Sequence, residues 1–100
     1  MTREIAYSRQ ARADLEEMFW FIAGDNPKRA GTYIAEIEKS CERLCETPMI
    51  GVARPDLGPD LRILILWRRV VVAYEVTPDR IDVLRVFSAG QDYEEIMGGD

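Results

Sequence analysis

The sequence contains no histidine. Histidine is the general base of serine and cysteine hydrolases and the commonest metal ligand in proteins. Its absence excludes Ser-His-Asp and Cys-His catalysis and any metal site with a histidine ligand. The only two cysteines, Cys41 and Cys45, are too few for a zinc site built from cysteine alone. We therefore expect neither a metal nor a cofactor.

The two cysteines are four residues apart, which places them on one face of a helix, where a disulfide between them would be strained. Free cysteine packs like a small apolar residue. We expect both thiols to be reduced and buried, as in a reducing cytoplasm, with a redox or metal role as the alternative.

A basic excess is also missing, since the net charge is -5 and the pI is near 4.8. Nucleic-acid-binding domains usually carry the opposite charge, so no direct nucleic-acid binding is expected. The charge is uneven, however. The region from Ile50 to Phe87 has six arginines against five acidic residues, and much of the negative excess lies in the tail after Gln91.

No apolar run approaches the ~18 residues of a membrane span, and the first ten residues, MTREIAYSRQ, lack the apolar core of a signal peptide. We expect a cytoplasmic protein without membrane contact. A chain of 100 residues has room for one core, so residues 1–100 are predicted to form one domain.

Apolar residues at helical spacing predict two helices. The first runs from about Arg9 to Ala23, with Ser8 able to cap it. Gly24 can end this helix, Asn26 can cap the next, and Pro27 suits its first position. The linker is so short that the two helices should form an antiparallel hairpin.

The second half predicts strands. A short strand precedes the first helix, and three runs rich in β-branched residues, RILILW, VVVAYEV and RIDVLRVF, follow an irregular lead-in that begins at Gly51. The short turns between the runs require hairpins. The predicted fold is α+β, ordered β-α-α-β-β-β, with a helical hairpin on a small antiparallel sheet. Residues 92–100 form an acidic tail, predicted as a short helix or a disordered segment.

Alternation in the last strand places Ile81, Val83, Arg85 and Phe87 on one face. A charge in such a row is usually paired with a carboxylate, or extends its guanidinium to solvent. Three other arginines have ordinary interpretations on the surface: Arg62 at a strand edge, and Arg68 and Arg69 in a turn.

The run MFWFI makes the first helix apolar on nearly all sides, because Trp20 lies outside the main stripe beside Phe19 and Phe21. One sheet cannot cover such a helix, and an exposed apolar patch usually marks a partner site. We therefore expect a partner to cover Phe19, Trp20 and Phe21, and Trp67 is a further candidate.

Several short motifs occur in order along the chain: Tyr7 before the first helix, Asp14-Leu15 within it, Asn26-Pro27 at the restart, Pro48 with Gly51, Leu61-Arg62, the run AYEV, and a closing strand that leads into Gly90. In this order and spacing, the segment from about Tyr7 to Tyr93 resembles the ParE branch of the RelE/ParE toxin superfamily.

The resemblance implies the toxin of a type II toxin–antitoxin system. It implies a ParD-like antitoxin that wraps around the toxin in a hetero-oligomer, and it suggests DNA gyrase as the target, inhibited through protein contact. RelE-type relatives instead cleave mRNA on the ribosome. Candidates for contact with the target are the arginines Arg62, Arg68, Arg69 and Arg85.

RNA cleavage needs a general base, a general acid and positive charge at the phosphate. Only Arg62, Arg85 and Tyr93 form a partial set, since Ser88 and Gln91 stand where the related ribonucleases commonly have histidine and arginine. Arginine and tyrosine ordinarily have high pKa values. We therefore favour a ParE-like inhibitor without catalytic residues. A RelE-like ribonuclease and a non-toxic antitoxin-binding module stay open as alternatives.

Overall fold

The fold is that of a computed structural model, which describes residues 3–88 and 90–98. Within these ranges no helix is long and apolar enough to cross a bilayer. In chain order the elements are β1 (Glu4–Tyr7), α1 (Arg9–Ala23), α2 (Pro27–Glu42), a 3-10 turn (Arg43–Cys45), β2 (Val52–Ala53), β3 (Leu61–Leu66), β4 (Val70–Val76), β5 (Arg80–Phe87) and α3 (Tyr93–Gly98).

The helical hairpin confirms the prediction from local signals. Ser8 caps α1, because its Oγ accepts a hydrogen bond of 2.9 Å from the N–H of Ala11. Asn26 caps α2 in the same way, with Oδ1 accepting from the N–H of Arg29 at 3.1 Å, and Pro27 occupies the first turn. Each cap satisfies an N–H that has no partner within the helix, and thereby fixes where the helix begins.

The sheet has the order β1-β5-β4-β3-β2 and is mixed, whereas an antiparallel sheet was predicted. The three predicted strands do form an antiparallel meander, but β1 runs parallel to β5, with Ile5 beside Ile81 and Tyr7 beside Val83. The chain leaves β1 through both helices and returns only at its last strand, and such a crossover permits parallel pairing. Strand β2 was not predicted, because two residues carry no periodic pattern.

A β-bulge in β5 overturns the predicted alternation. Tyr74 pairs with Val83 while the preceding residue of β4, Ala73, pairs with Arg85, so Leu84 is an extra residue. One extra residue reverses the face of every side chain that follows it. Val86 therefore joins the core beneath the helices, and Phe87 belongs to the cluster on the opposite face of the sheet.

Both faces of the sheet are covered. The larger core lies between the sheet and the helical hairpin, and its buried members are Ala11, Leu15, Met18, Ile37, Cys41, Leu44, Val70, Val72, Tyr74, Ile81, Val83 and Val86. The smaller cluster, Leu61, Ile63, Ala73 and Phe87, packs against Leu57 and against Tyr93 and Met97 of α3. Full burial of one large apolar side chain contributes about 1.5–3 kcal/mol, so each cluster stabilises its side of the sheet.

The acidic tail forms a helix over Tyr93–Gly98, one of the two predicted states, while Gly99 and Asp100 lie outside the described residues. Asp92 Oδ1 accepts from the N–H of Glu95 at 3.2 Å, and Glu94 lies 2.9 Å from Nη2 of Arg54. The first contact lies within the tail, and the second connects the tail to the loop that precedes β3.

Strand β5 extends beyond the end of β1, and residues at the start of α1 take the place of a strand there. Ser8 donates its N–H to the carbonyl of Val83 at 2.9 Å and its hydroxyl to that of Leu84 at 2.7 Å. Farther on, Asp14 Oδ2 accepts from the N–H of Val86 at 2.8 Å and from Arg85 Nε at 2.8 Å, while Oδ1 accepts from Arg85 Nη2 at 3.0 Å.

Replacement of Asp14 by alanine should lower the free energy of unfolding by about 2–3 kcal/mol, because it leaves a half-buried guanidinium and a strand N–H without their acceptor. The matched control is Glu36→Ala, which removes the exposed carboxylate 3.6 Å from Arg29 and should change stability by less than about 0.5 kcal/mol. Urea unfolding measures both. Equal stabilities of the two variants would contradict the assignment.

Candidate binding surface

One hydrogen-bond network fixes the segment that enters β2. Tyr74 Oη donates to the carbonyl of Pro48 at 2.7 Å and accepts from the N–H of Gly51 at 2.9 Å. Arg62 Nη1 donates to the carbonyl of Gly51 at 2.6 Å and to that of Met49 at 3.3 Å. A Cβ atom on Gly51 would lie 2.5 Å from Tyr74 Oη, so only glycine fits. This first hydrogen-bonded joint thus brings together four motif positions: Pro48, Gly51, Arg62 and Tyr74.

Arg85 belongs to a second hydrogen-bonded joint, in which Asp14 of α1 contacts Arg85 and Val86 of β5. Its guanidinium makes the two hydrogen bonds to Asp14 and lies 4.7 Å from the centre of the Phe87 ring. The hydrogen bonds to Asp14 raise the pKa of Arg85 above its ordinary value. Arg85 therefore stays protonated and paired with Asp14. Pairing with a carboxylate was one of the two interpretations predicted for this residue.

A groove of about 750 Å³ opens beside this joint, between the two helices, the β3–β4 turn and the end of β5. Its lining includes the apolar residues Met18, Phe21, Ile22, Tyr33 and Val86 and the polar or charged residues Asp14, Glu17, Arg29, Arg69, Ser88 and Gln91. Binding grooves combine apolar side chains, which supply contact area, with polar groups that fix the orientation of the partner.

The exposed aromatic side chains of α1 lie on different faces of the helix. Phe21 is 86% exposed and lines the groove, whereas Trp20 is 66% exposed and is not among the lining residues. Phe19 is half-buried and stacks edge-to-face on Trp20, with ring centres 5.1 Å apart. Trp67 is partly exposed in the β3–β4 turn, 6.0 Å from the ring of Tyr33. Of the four predicted partner-binding aromatic residues, Phe21 alone lines the groove, and Trp67 is connected to it through Tyr33.

The β3–β4 turn presents the other charged candidates. Trp67 and Arg68 have φ angles of 53° and 58°, and the N–H of Arg69 donates to the carbonyl of Leu66 at 2.9 Å, the pattern of a type I′ hairpin turn. Positive φ is unfavourable for such large residues. In the described ranges neither Arg68 nor Arg69 forms an ion pair, and both are exposed.

A family model described as "ParE toxin of type II toxin-antitoxin system, parDE" matches residues 5–93. The chain belongs to this ParE toxin family. The match spans both helices, the whole sheet and both hydrogen-bonded joints.

Solved structures agree with the ParE fold. One is a chain of the chromosomal ParDE toxin–antitoxin system from P. aeruginosa, with a TM-score of 0.73 and 24% identity over 87% of this chain and 96% of that one. Another is the solution structure of a conserved hypothetical protein from Helicobacter pylori, with a TM-score of 0.50 and 13% identity over 91% and 98% of the two chains. At these identities the likeness shows the fold alone. None of the curated proteins matches the chain.

The three residues considered for ribonuclease chemistry have different neighbours in this ParE-family chain. Arg62 faces the segment that enters β2, while Arg85 faces α1 at the far side of the sheet. Tyr93 lies in α3, with its ring centre 6.1 Å from that of Phe87, the same ring that Arg85 contacts. Arg85 and Tyr93 thus share one neighbour, and Arg62 is two strands away from them.

The groove residues Arg29, Tyr33, Ser88 and Gln91 were not predicted as part of a site. Arg29 stacks on the Tyr33 ring at 5.2 Å, and Gln91 Oε1 accepts from the N–H and hydroxyl of Ser88 at 2.7 and 3.0 Å. They come together only through the tertiary packing of α2 on the sheet. Ser88 and Gln91 had been singled out only as departures from the ribonuclease pattern, and no motif connected them with Arg29 and Tyr33.

No cluster of three potential metal ligands occurs among the residues that the structure describes. Both thiols are free. Burial raises the pKa of Cys41 to about 11, against the opposite effect of a hydrogen bond with Tyr7. Burial, followed by the nearby Glu42 and Glu46, also raises the pKa of Cys45. The thiolate is the reactive form, so the buried Cys41 is unreactive near neutrality. Cys45 is only partly buried, so the expectation that both thiols are buried is wrong for this residue.

At pH 8 a thiol with a pKa of about 11 is ionised in roughly one molecule in a thousand. We therefore predict that iodoacetamide leaves Cys41 unmodified in the folded ParE-family chain for hours at pH 8 and alkylates it fully in denaturant. Mass spectrometry of the intact chain and its peptides measures both. Rapid modification of Cys41 in the folded state would contradict the buried assignment.

Proposed function

We propose that this ParE-type toxin inhibits DNA gyrase by protein–protein contact and is neutralised by a ParD-like antitoxin. The observation that carries the antitoxin half of the proposal is the exposed aromatic surface at the end of α1, where Phe21 is 86% exposed beside an open groove. A small soluble protein rarely leaves such a surface without a partner. Membership in a family described as the toxin of a parDE system supports an antitoxin of the ParD kind as the partner.

The hydrogen bonds that Arg62 and Arg85 make within the chain favour inhibition by contact over RNA cleavage. Arg85 is paired with a carboxylate, which offsets its charge, and Arg62 uses Nη1 to hold two backbone carbonyls, so both arginines have structural partners within the chain. A ribonuclease of this kind also needs a general base whose pKa lies near the working pH. Burial raises the pKa of Tyr7 and of Tyr74, which is the wrong direction for a base.

The proposed antitoxin-binding residues are Phe19, Trp20, Phe21 and Trp67. Aromatic side chains supply large contact areas and form many of the energetically important contacts in protein complexes. The partner segment should be apolar where it meets these rings. We also propose that an acidic side chain of the antitoxin meets the basic part of the groove rim, formed by Arg29 and Arg69.

The proposed target contacts are Arg68 and Arg69 at the tip of the β3–β4 hairpin. Both guanidinium groups are exposed and lack an ion-pair partner among the described residues, so they are free to meet an acidic surface. Arg62 and Arg85, the other two candidates, would act indirectly, by holding the segments beside the hairpin in place.

The substitution Phe21→Asp should weaken antitoxin binding at least about tenfold and leave the stability of the free toxin nearly unchanged, because Phe21 buries little of its surface within the chain. The probe is the small polypeptide encoded beside the toxin gene, titrated by calorimetry. Ala35→Asp, at an exposed position on α2, is the matched control and should bind normally. Equal affinities of the two variants would contradict the assigned surface.

Purified toxin should inhibit supercoiling by gyrase and promote gyrase-dependent DNA cleavage, and Arg68→Glu/Arg69→Glu should relieve this effect while the chain stays folded. Equimolar antitoxin should restore supercoiling. The competing outcome is normal supercoiling with codon-dependent mRNA cleavage that Arg62→Ala or Arg85→Ala abolishes, which would identify a RelE-like ribonuclease. Absence of both activities would leave only an antitoxin-binding module.

A further inference from the structure

The two arginines of the β3–β4 turn are adjacent in sequence but differ in their surroundings. Arg69 lines the groove between the helices and the turn, whereas Arg68 is not among the lining residues. Both are exposed, and neither forms an ion pair with any residue that the structure describes. From Leu61 to Tyr74 the sequence contains no acidic residue. Two guanidinium groups are therefore presented to partners at two different places.

The backbone of Arg68 has a conformation that suits another residue type. Its φ angle is 58°, and that of Trp67 is 53°. A type I′ turn needs positive φ at both central positions and favours asparagine followed by glycine there. The other positive φ among the described residues is at position 90, which is a glycine. Arg68 thus costs stability relative to glycine, and residues strained in this way cluster at functional sites.

A stack of three side chains holds the turn against α2. The ring of Trp67 lies 6.0 Å from the ring of Tyr33, and the guanidinium of Arg29 lies 5.2 Å from the centre of the same Tyr33 ring. Contacts between aromatic rings, and between a cation and a ring, are favourable. A preorganised support lowers the entropy that is lost on binding. Arg68 is therefore presented from a turn that is already fixed.

The position of each arginine indicates its partner. Arg69 lies with Arg29 and Phe21 in the lining of the groove, which belongs to the proposed antitoxin-binding surface. Arg68 lies outside that lining. The net charge of -5 opposes contact with a DNA backbone, so a protein carboxylate suits Arg68 better than a phosphate. A guanidinium binds a carboxylate through two parallel hydrogen bonds.

We propose that the two adjacent arginines serve different partners: Arg68 pairs with a carboxylate of the target protein, and Arg69 pairs with a carboxylate of the antitoxin. This inference rests on the proposed function, and it divides between two partners the pair of arginines that the proposed function assigns to the target. Contact with the target also accounts for an arginine at a turn position where glycine would be more stable.

The variants Arg68→Gln and Arg69→Gln test this division, because each removes one charge and keeps a long polar side chain. Purified gyrase and the polypeptide encoded beside the toxin gene are each titrated with both variants. Gyrase binding should be weakened at least about fivefold more by Arg68→Gln than by Arg69→Gln, and antitoxin binding should show the reverse order. Equal losses from the two variants for each partner would overturn the inference and leave the proposed function intact. Failure of the unmodified toxin to bind gyrase would refute both.

The same gyrase titration, with and without DNA, identifies the class of the group that meets Arg68. Arg68→Gln should weaken binding to the same extent in both cases, because the proposed carboxylate belongs to the protein. A loss confined to gyrase that holds DNA would overturn the carboxylate assignment and indicate a phosphate instead.

The variant Arg68→Gly tests whether the arginine is present at the expense of stability. It should raise the melting temperature by about 2–6 °C, because glycine adopts positive φ without strain, and it should weaken gyrase binding as Arg68→Gln does. The matched control Arg69→Gly, at a position without positive φ, should lower the melting temperature. Circular dichroism measures both. A lower melting temperature for Arg68→Gly, or undiminished gyrase binding by this variant, would contradict the role assigned to Arg68.

Discussion

The carboxylate of Asp14 holds α1 against the part of β5 that β1 does not reach. It accepts three hydrogen bonds, one from the backbone of Val86 and two from Arg85. A carboxylate can accept that many because each oxygen offers two lone pairs, and the ionised partner makes two of these bonds stronger than neutral ones. The groove depends on this contact, because Asp14 and Val86 both line it, and Val86 and Met18 belong both to its lining and to the core.

Two of the candidate arginines hold segments of the chain in place. Arg85 is committed to Asp14, and Arg62 is committed to the backbone carbonyls of residues 49 and 51. The motif positions that define the family resemblance therefore build the two joints of the fold. The exposed aromatic rings and the two arginines of the hairpin turn, which form no ion pair with any described residue, are of the kinds enriched at protein–protein interfaces.

Features set by local chemistry were predictable from the sequence. Ser8 and Asn26-Pro27 fix both helix starts through hydrogen bonds that span only three residues. Two features were not predictable from local periodicity. The parallel pairing of β1 joins residues far apart in the chain, such as Ile5 and Ile81, and the bulge at Leu84 depends on the register of β5 with β4. Likewise the exposure of Trp20 followed from its position outside the main apolar stripe of α1, whereas the groove exists only after α2 packs beside the β3–β4 turn.

A double-mutant cycle with Asp14→Asn and Arg85→Gln tests the central interaction most directly. Unfolding free energies of the two single variants, the double variant and the unmodified chain give the coupling between the side chains. We predict a coupling of about 1–3 kcal/mol, with the double variant less destabilised than the sum of the single ones. Additive effects, with coupling near zero, would show that the two side chains act independently and would contradict the role of Asp14 as the joint between α1 and β5.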